Sequence, residues 1–223
     1  MNLLLVSEIA PASYLPDFGP AFRAHMAKKA NPKVYEASLA AWGLLSKGFE
    51  RMGLHLPEIT FEAGGKPTIS DFGLQISDLS LFKSNFGLYF DDKANILSNF
   101  SLYFSLSHSE SIAAALISTH PCGVDVEMVR SEVSDRLYDR CMHPAELALG
   151  MDFFQAWTRK ECIAKLDGSG MPGHPDHINS ADAQYSNWHT QLLQDENGRS
   201  YVLSALCMNA EPVRYEYIKR ENL

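Results

Sequence analysis

The segment CGVDVEMV, residues 122–129, restricts the fold most strongly, because two carboxylates interrupt an apolar run. Residues two apart in an extended strand point to the same face. Asp125 and Glu127 therefore share one face, while Val124 and Val126 share the other. One interpretation is a strand with a solvated outer face, which is the commoner case for an isolated pair of acids. The other is a site for a hard cation, which prefers carboxylate oxygens.

The segment FFQAWTRKECIAKL, residues 153–166, predicts a helix that ends at the DGSG sequence of residues 167–170. Glu161 and Lys165 are four residues apart and would be neighbours on this helix. They could form an exposed ion pair, with Lys160 as an ordinary solvated lysine. Alternatively, the acid holds a metal beside phosphate oxygens and the two lysines neutralise the remaining negative charge. Spacing alone leaves both interpretations open.

The rest of the chain alternates apolar segments with turn signals, and each half contains a helix and several strands. This pattern predicts an α+β fold and is consistent with two similar halves. Helical spacing of apolar residues predicts a helix over residues 33–52. Ser109 and Glu110 are expected to begin a short helix or a polar turn. Strands are predicted for the opening MNLLLVSEI, for residues 100–106 and 122–129, and for the C-terminal segments NWHTQLLQ, YVLSALCM and VRYEYI.

Composition narrows the function classes. The chain has 27 acidic and 19 basic residues and a formal net charge of −8, which argues against general affinity for nucleic acid. No apolar run approaches the roughly 20 residues that span a bilayer. The opening segment lacks a basic flank, so we expect a first strand rather than an export signal, and a cytoplasmic protein. Cys162 is expected in the core, and all four cysteines, which are widely separated, are expected to be free thiols.

Two further segments carry polar residues whose role is open. In FSLSHSE, residues 104–110, a histidine between serines could bind a phosphate, act as a base or complete a turn, and the structural role is favoured. Without a GxSxG elbow, hydrolysis through a Ser–His–Asp triad is disfavoured. The HPDH sequence of residues 174–177 suggests a metal site, but that interpretation is not favoured because proline and glycine surround it without a helix.

Read in order, GGKP, FSLSHS, GVDVE and WTRKECIAKLDGSGM resemble the motif series of the surfactin-type 4′-phosphopantetheinyl transferases over about residues 60–171. Any one of these motifs is weak, but their order and spacing together are specific. The resemblance implies a pseudo-dimer of two similar α/β halves, with coenzyme A bound in the cleft between them. The halves are expected at residues 1–117 and 118–223, and the second half carries the acids that bind metal.

The resemblance also implies the residues of the site. Asp125, Glu127 and Glu161 correspond to the ligands of Mg²⁺, with Mn²⁺ as the alternative ion. The residues expected to contact coenzyme A are Lys66 and Pro67 beside its adenine and ribose, Ser107 and His108 at its phosphates, and Lys160 and Lys165 at its pyrophosphate.

The implied reaction moves the phosphopantetheine arm from coenzyme A to a serine of an acyl or peptidyl carrier protein and releases adenosine 3′,5′-bisphosphate. Such carrier proteins serve fatty-acid, polyketide or nonribosomal peptide biosynthesis. Glu161 is the candidate base for the serine hydroxyl, directly or through a water, and Lys165 would stabilise the leaving phosphate. A monomer is expected. Alternatives are a coenzyme A-binding homologue without transferase activity and a Mg²⁺-dependent phosphoesterase.

One departure from the family concerns the N-terminal helix, which is often rich in arginine and helps to hold the 3′-phosphate of coenzyme A. The comparable stretch here, VYEASLAAWGLLSKGF, contains no arginine. The basic residues that could replace it are Arg23, Lys28, Lys29 and Lys33.

Overall fold

The computed structural model describes residues 1–9, 16–69, 75–86 and 101–219. Within these ranges the chain forms a mixed α+β fold, and no helix there is long and apolar enough to cross a membrane. The strands are β1 (Asn2–Glu8), β2 (Ile59–Phe61), β3 (Pro67–Ile69), β4 (Tyr103–Ser109), β5 (Ile112–Ser118), β6 (Cys122–Met128), β7 (Trp188–Gln194), β8 (Ser200–Cys207) and β9 (Val213–Tyr217). The helices are α1 (Pro20–Ala27), α2 (Pro32–Arg51), α3 (Leu79–Phe86), α4 (Asp135–Cys141), α5 (Pro144–Ala148) and α6 (Phe153–Asp167), with a 3₁₀ turn at Pro175–His177.

The first sheet has the strand order β4-β5-β1-β9. Its neighbours β4–β5 and β5–β1 are antiparallel, whereas β9 runs parallel to β1. Both β1 and β5 are buried along their whole length, because alternate side chains enter two different cores. Leu3 and Leu5 pack in a core with α2, while Leu4 and Val6 pack against the second sheet. The C-terminal strand β9 therefore joins the sheet built mainly from the N-terminal part of the chain.

The second sheet has the order β6-β8-β7 and is antiparallel throughout. Val124 and Val126 enter the core between the two sheets, which confirms the apolar face predicted for this strand. The opposite face of β6 lies against α6. At Gly123 the approach is so close that an added Cβ would overlap the carbonyl oxygen of Cys162. Cys162 itself is fully buried in the core, as predicted.

Helix α6 has well-defined ends. Asp152 caps its N-terminus by accepting hydrogen bonds from the backbone N–H groups of Phe154 and Gln155. Gly168 ends it in the left-handed conformation, with φ of 73°. The predicted helix and its stop are confirmed. The two ends fix the positions of Glu161 and Lys165 along the helix.

Strands β4 and β6 belong to different sheets, and serine side chains join them. The serines alternate along β4, so their hydroxyls lie on one face and meet every second backbone N–H of β6. Each hydroxyl oxygen accepts a hydrogen bond from one of these N–H groups, and this row of bonds is called the serine ladder below. The pairs are Ser105 with Val124 at 3.0 Å, Ser107 with Val126 at 3.3 Å, and Ser109 with Met128 at 3.2 Å.

The strand predicted for residues 100–106 is not formed at residues 101 and 102. Strand β4 starts at Tyr103 and continues to Ser109, and the predicted start at residue 100 lies outside the described residues. Glu110 follows with a positive φ of 46°, so the polar-turn alternative is confirmed here and the short helix is wrong. All four cysteines are buried free thiols, as expected.

Replacing Ser105 with alanine tests the serine ladder. Ser105→Ala leaves the buried N–H of Val124 without its acceptor, which should lower the free energy of unfolding by about 1–3 kcal/mol. The matched control Ser131→Ala changes an exposed serine and should stay within about 0.5 kcal/mol of the wild type. Urea denaturation of both variants measures the difference. Equal stability of the two variants would contradict a structural role for the ladder.

Candidate active site

A cavity of about 910 Å³ opens where β4, β6, α6 and the β2–β3 hairpin meet. Its walls include polar residues from both sheets and an aromatic side formed by Trp42, Phe61 and Phe104. Nearly all of the residues that the sequence indicated line this one cavity. They are Lys66, Pro67, Ser107, His108, Asp125, Glu127, Glu161 and Lys165.

Asp125 is the most firmly held of the three acids. Its Oδ1 accepts hydrogen bonds from Ser107 Oγ at 2.7 Å and from Lys165 Nζ at 2.7 Å. The Lys165 ammonium also donates to the carbonyl oxygen of Val124 at 2.9 Å. Lys165 thus forms an ion pair with Asp125 on β6. The other interpretation, an exposed pair of Lys165 with Glu161 on the same helix, does not describe this contact. This contact ties α6 to the strand beneath it.

The other two acids carry negative charge that is only partly offset. Burial raises the pKa of Glu161, and the charges of Asp125 and Glu127 raise it further, while Lys165 acts in the opposite direction. Burial and Asp125 likewise raise the pKa of Glu127, although Arg130 at 3.5 Å acts against them. Burial alone would lower the pKa of Lys165, but Asp125 outweighs it and the pKa is raised. The cluster therefore combines three carboxylates with one firmly protonated lysine.

The three acids line the same cavity but have not converged around one point. Among the described residues, the group of potential ligands whose atoms all lie within 4.8 Å of one another is His174, Asp176 and His177, in the HPDH sequence. Carboxylate oxygens are nevertheless the donors that hard dications select. Burial and, after it, the neighbouring carboxylates raise the pKa values of Glu127 and Glu161, and a divalent cation would offset the negative charge of the cluster.

Lys160 does not lie with the other predicted residues. Its side chain is 0% exposed, and its ammonium lies 2.8 Å from Oε1 of Glu146, whose side chain is also 0% exposed. It further donates to the carbonyl oxygen of Ile178. Successive residues on a helix point about 100° apart, so Lys160 cannot share the direction of Glu161. The expected contact of Lys160 with a pyrophosphate is therefore not supported by its position, and its interpretation as a solvated lysine is wrong.

Glu146 is the centre of a buried polar group that the sequence did not indicate. Besides Lys160, its carboxylate accepts hydrogen bonds from the Ser180 hydroxyl at 2.6 Å, from the Ser180 N–H at 2.9 Å and from the His143 N–H at 2.8 Å. These hydrogen bonds outweigh burial, which alone would raise the pKa of Glu146, and the pKa is lowered. The carboxylate thus joins α5, α6 and the loop before β7. A capping-box pattern from His143 to Glu146 was the available sequence signal.

The wall of the cavity also includes His25, a residue that sequence reasoning missed. His25 stacks on Phe61, with ring centroids 4.5 Å apart and ring planes inclined by 12°. Both side chains line the cavity. Burial lowers the pKa of His108, and the nearby charges of Lys29 and Lys165 lower it further, against Asp125. Burial, Lys29 and Lys28 similarly lower the pKa of His25.

Three of the four basic residues that were candidates for holding a phosphate differ in their distance from the cavity histidines. Lys28 and Lys29 lie close enough to the cavity histidines to lower the pKa of His25. Arg23 instead pairs with Asp17 at 2.6 Å on the exposed face of α1. The sequence could not show that Lys29 lies near His108, because the two residues are far apart in the chain.

Comparison with known proteins agrees with this geometry. Residues 121–212 match the family model for the 4′-phosphopantetheinyl transferase superfamily. Over 76 residues the chain is 32% identical to the 4′-phosphopantetheinyl transferase gsp of Aneurinibacillus migulanus, a match that covers 30% of this chain and 32% of that protein. The match therefore spans about a third of the relative's length. Both findings confirm the resemblance to the surfactin-type 4′-phosphopantetheinyl transferases.

The buried Lys160–Glu146 pair predicts a large effect on stability. Lys160→Met leaves a buried carboxylate without its cation and should lower the free energy of unfolding by about 3–5 kcal/mol. The double variant K160M/E146Q should recover a part of that loss. Lys47→Met is the matched control, because it breaks an exposed pair with Glu50 and should cost less than about 1 kcal/mol. Chemical denaturation measures all three, and similar losses in both single variants would contradict the burial of the Lys160 pair.

Proposed function

We propose that this protein transfers the phosphopantetheine arm of coenzyme A to a serine hydroxyl of an acyl or peptidyl carrier protein, releasing adenosine 3′,5′-bisphosphate. The observation that carries the proposal is that Asp125, Glu127, Glu161 and Lys165 line one cavity, in which Lys165 pairs with Asp125. The match to the transferase superfamily includes all four of these residues. The cavity is lined from both halves of the chain, as expected for a cleft between the two halves of a pseudo-dimer.

The acid cluster is suited to Mg²⁺. Asp125, Glu127 and Glu161 would hold the ion, and their incompletely offset charge is the physical reason for its binding. When bound, Mg²⁺ neutralises charge on the pyrophosphate of coenzyme A, and Mn²⁺ can serve in the same oxygen-ligand chemistry. Asp125 enters this site already oriented by Ser107 and Lys165.

Glu161 is the proposed general base. A serine hydroxyl is a weak nucleophile at neutral pH and needs a group that takes its proton. Glu161 lines the cavity, and its carboxylate can take this proton directly or through a water. Lys165 stays protonated beside it and would stabilise the charge that develops on the leaving phosphate. The two residues lie one helical turn apart on α6 and both line the cavity.

The part of the cavity wall formed by Lys66 and Pro67 is proposed to receive the nucleotide part of coenzyme A. Lys66 and Pro67 line the cavity where the β2–β3 hairpin approaches the end of α6, and Lys66 Nζ donates to the carbonyl oxygen of Leu166 at 2.7 Å. We propose that Lys29 attracts the 3′-phosphate in place of the family's arginines. His108, which lines the cavity and whose pKa is lowered, would contact the phosphates as a hydrogen-bond donor. Ser107 serves the site indirectly, because its hydroxyl is committed to Asp125 and to the backbone of β6.

Incubation with coenzyme A, Mg²⁺ and an apo carrier protein tests the transfer. We expect the carrier mass to rise by about 340 Da, the mass of the phosphopantetheine arm. Glu161→Gln should abolish this shift, whereas the exposed-surface control Glu36→Gln should retain it. Binding of coenzyme A without any mass shift would instead indicate a non-catalytic homologue. Breakdown of coenzyme A without a carrier protein would indicate a phosphoesterase.

Lys29→Ala tests the proposed phosphate contact. The variant should raise KM for coenzyme A by roughly tenfold, the equivalent of about 1.4 kcal/mol, and leave KM for 3′-dephospho-coenzyme A unchanged. Lys219→Ala removes an exposed lysine that follows β9 and serves as the control. An equal effect of Lys29→Ala on both substrates would contradict recognition of the 3′-phosphate by this lysine.

A further inference from the structure

We propose that His174, Asp176 and His177 form a second metal site, which takes a transition-metal dication such as Zn²⁺ and is separate from the acid cluster of the cavity. One potential ligand atom from each residue lies within 4.8 Å of the other two. The three residues fall within one short turn, in which Pro175 restricts the backbone. The proposal does not depend on the transferase activity.

The distances within this group are close to those of a metal-bound set. His174 Nδ1 lies 3.8 Å from Asp176 Oδ1, and His177 Nε2 lies 4.0 Å from Asp176 Oδ2. Ligands about 2.0–2.2 Å from a tetrahedral zinc ion lie roughly 3.3–3.5 Å from one another. Small side-chain rotations would therefore bring the three residues to zinc-binding distances. The histidine side chains are 72% and 76% exposed, and their rings are stacked with centroids 5.3 Å apart. Little packing therefore opposes the adjustment, and water can complete the coordination.

Asp176 provides a second reason to expect a cation. Its Oδ1 is shielded from solvent and has no hydrogen-bond partner among the described residues. A buried acceptor without a partner is unfavourable, and a bound cation would satisfy it. Arg140 donates to the carbonyl oxygen of Gly173 at 2.8 Å, so one positive charge lies near the group and opposes binding. The overall charge of −8 acts in the other direction.

The donor set decides the class of metal. Two imidazole nitrogens and one carboxylate suit zinc, nickel or copper, whereas Mg²⁺ prefers oxygen ligands alone. The two sites of the molecule should therefore select different ions. The proposed zinc site lies in the segment that leads from Gly170, at the wall of the cavity, to Ile178, whose carbonyl oxygen accepts from Lys160. A bound ion would hold residues 170–178 in one conformation.

Titration calorimetry with zinc chloride tests the proposal on the full chain without an added histidine tag, in buffer with excess Mg²⁺ to occupy the acid cluster. We expect one equivalent of Zn²⁺ to bind the wild type and to raise its melting temperature. H174A/H177A changes two exposed residues and should lose that equivalent and that rise together.

The control His55→Ala removes another exposed histidine and should bind Zn²⁺ as the wild type does. Circular dichroism of the three proteins establishes that they are equally folded. Absence of zinc binding in the wild type, or unchanged stoichiometry in H174A/H177A, would overturn the proposal. Neither result bears on the carrier-protein assay, because that assay uses Mg²⁺ and a different part of the molecule.

Discussion

The serine ladder between β4 and β6 is the interaction on which the rest of the structure depends. Two sheets meet at these strands, and serine hydroxyls supply the acceptors that the N–H groups of β6 need. Ser107 has a second contact, because its hydroxyl accepts from the N–H of Val126 and donates to Asp125. The residue that joins the sheets therefore also orients the first acid of the proposed site. A structural role for FSLSHSE and a role near the chemistry are thus compatible.

Charge balance explains why acids can stand in an otherwise apolar strand. Asp125 is stabilised by Lys165 and Ser107, so its burial is offset within the protein itself. Glu127 and Glu161 have no comparably close positive charge. Their pKa values are raised, which means that their charged forms are less favourable in the folded protein. A site that binds a dication is expected to keep such an imbalance, because the cation provides the missing positive charge.

Sequence patterns predicted those features that depend on neighbours in the chain. The alternation in VDVEMV correctly placed the two valines in the core, and the stop at Gly168 correctly ended α6. Lys66, Ser107 and Glu161, which the motif series indicated, line one cavity, and the roles assigned to them stay predictions.

Features that depend on distant segments were not predicted. The direction of Lys160 follows from helical geometry, but its partner Glu146 comes from another helix. The stacking of His25 on Phe61 also joins remote segments, and so does the parallel pairing of β9 with β1. Such contacts arise from the packing of whole elements, for which the local pattern carries no signal.

The pH dependence of stability tests the central claim, an acid cluster with excess negative charge. A carboxyl whose pKa is raised on folding destabilises the native state as pH rises from its unfolded pKa, about 4.3, through its folded pKa. In buffer without divalent cations, Glu161→Gln should therefore be more stable than the wild type at pH 7, and this advantage should vanish near pH 4. Equal stability of the two proteins across this range, or a less stable variant at pH 7, would contradict the account.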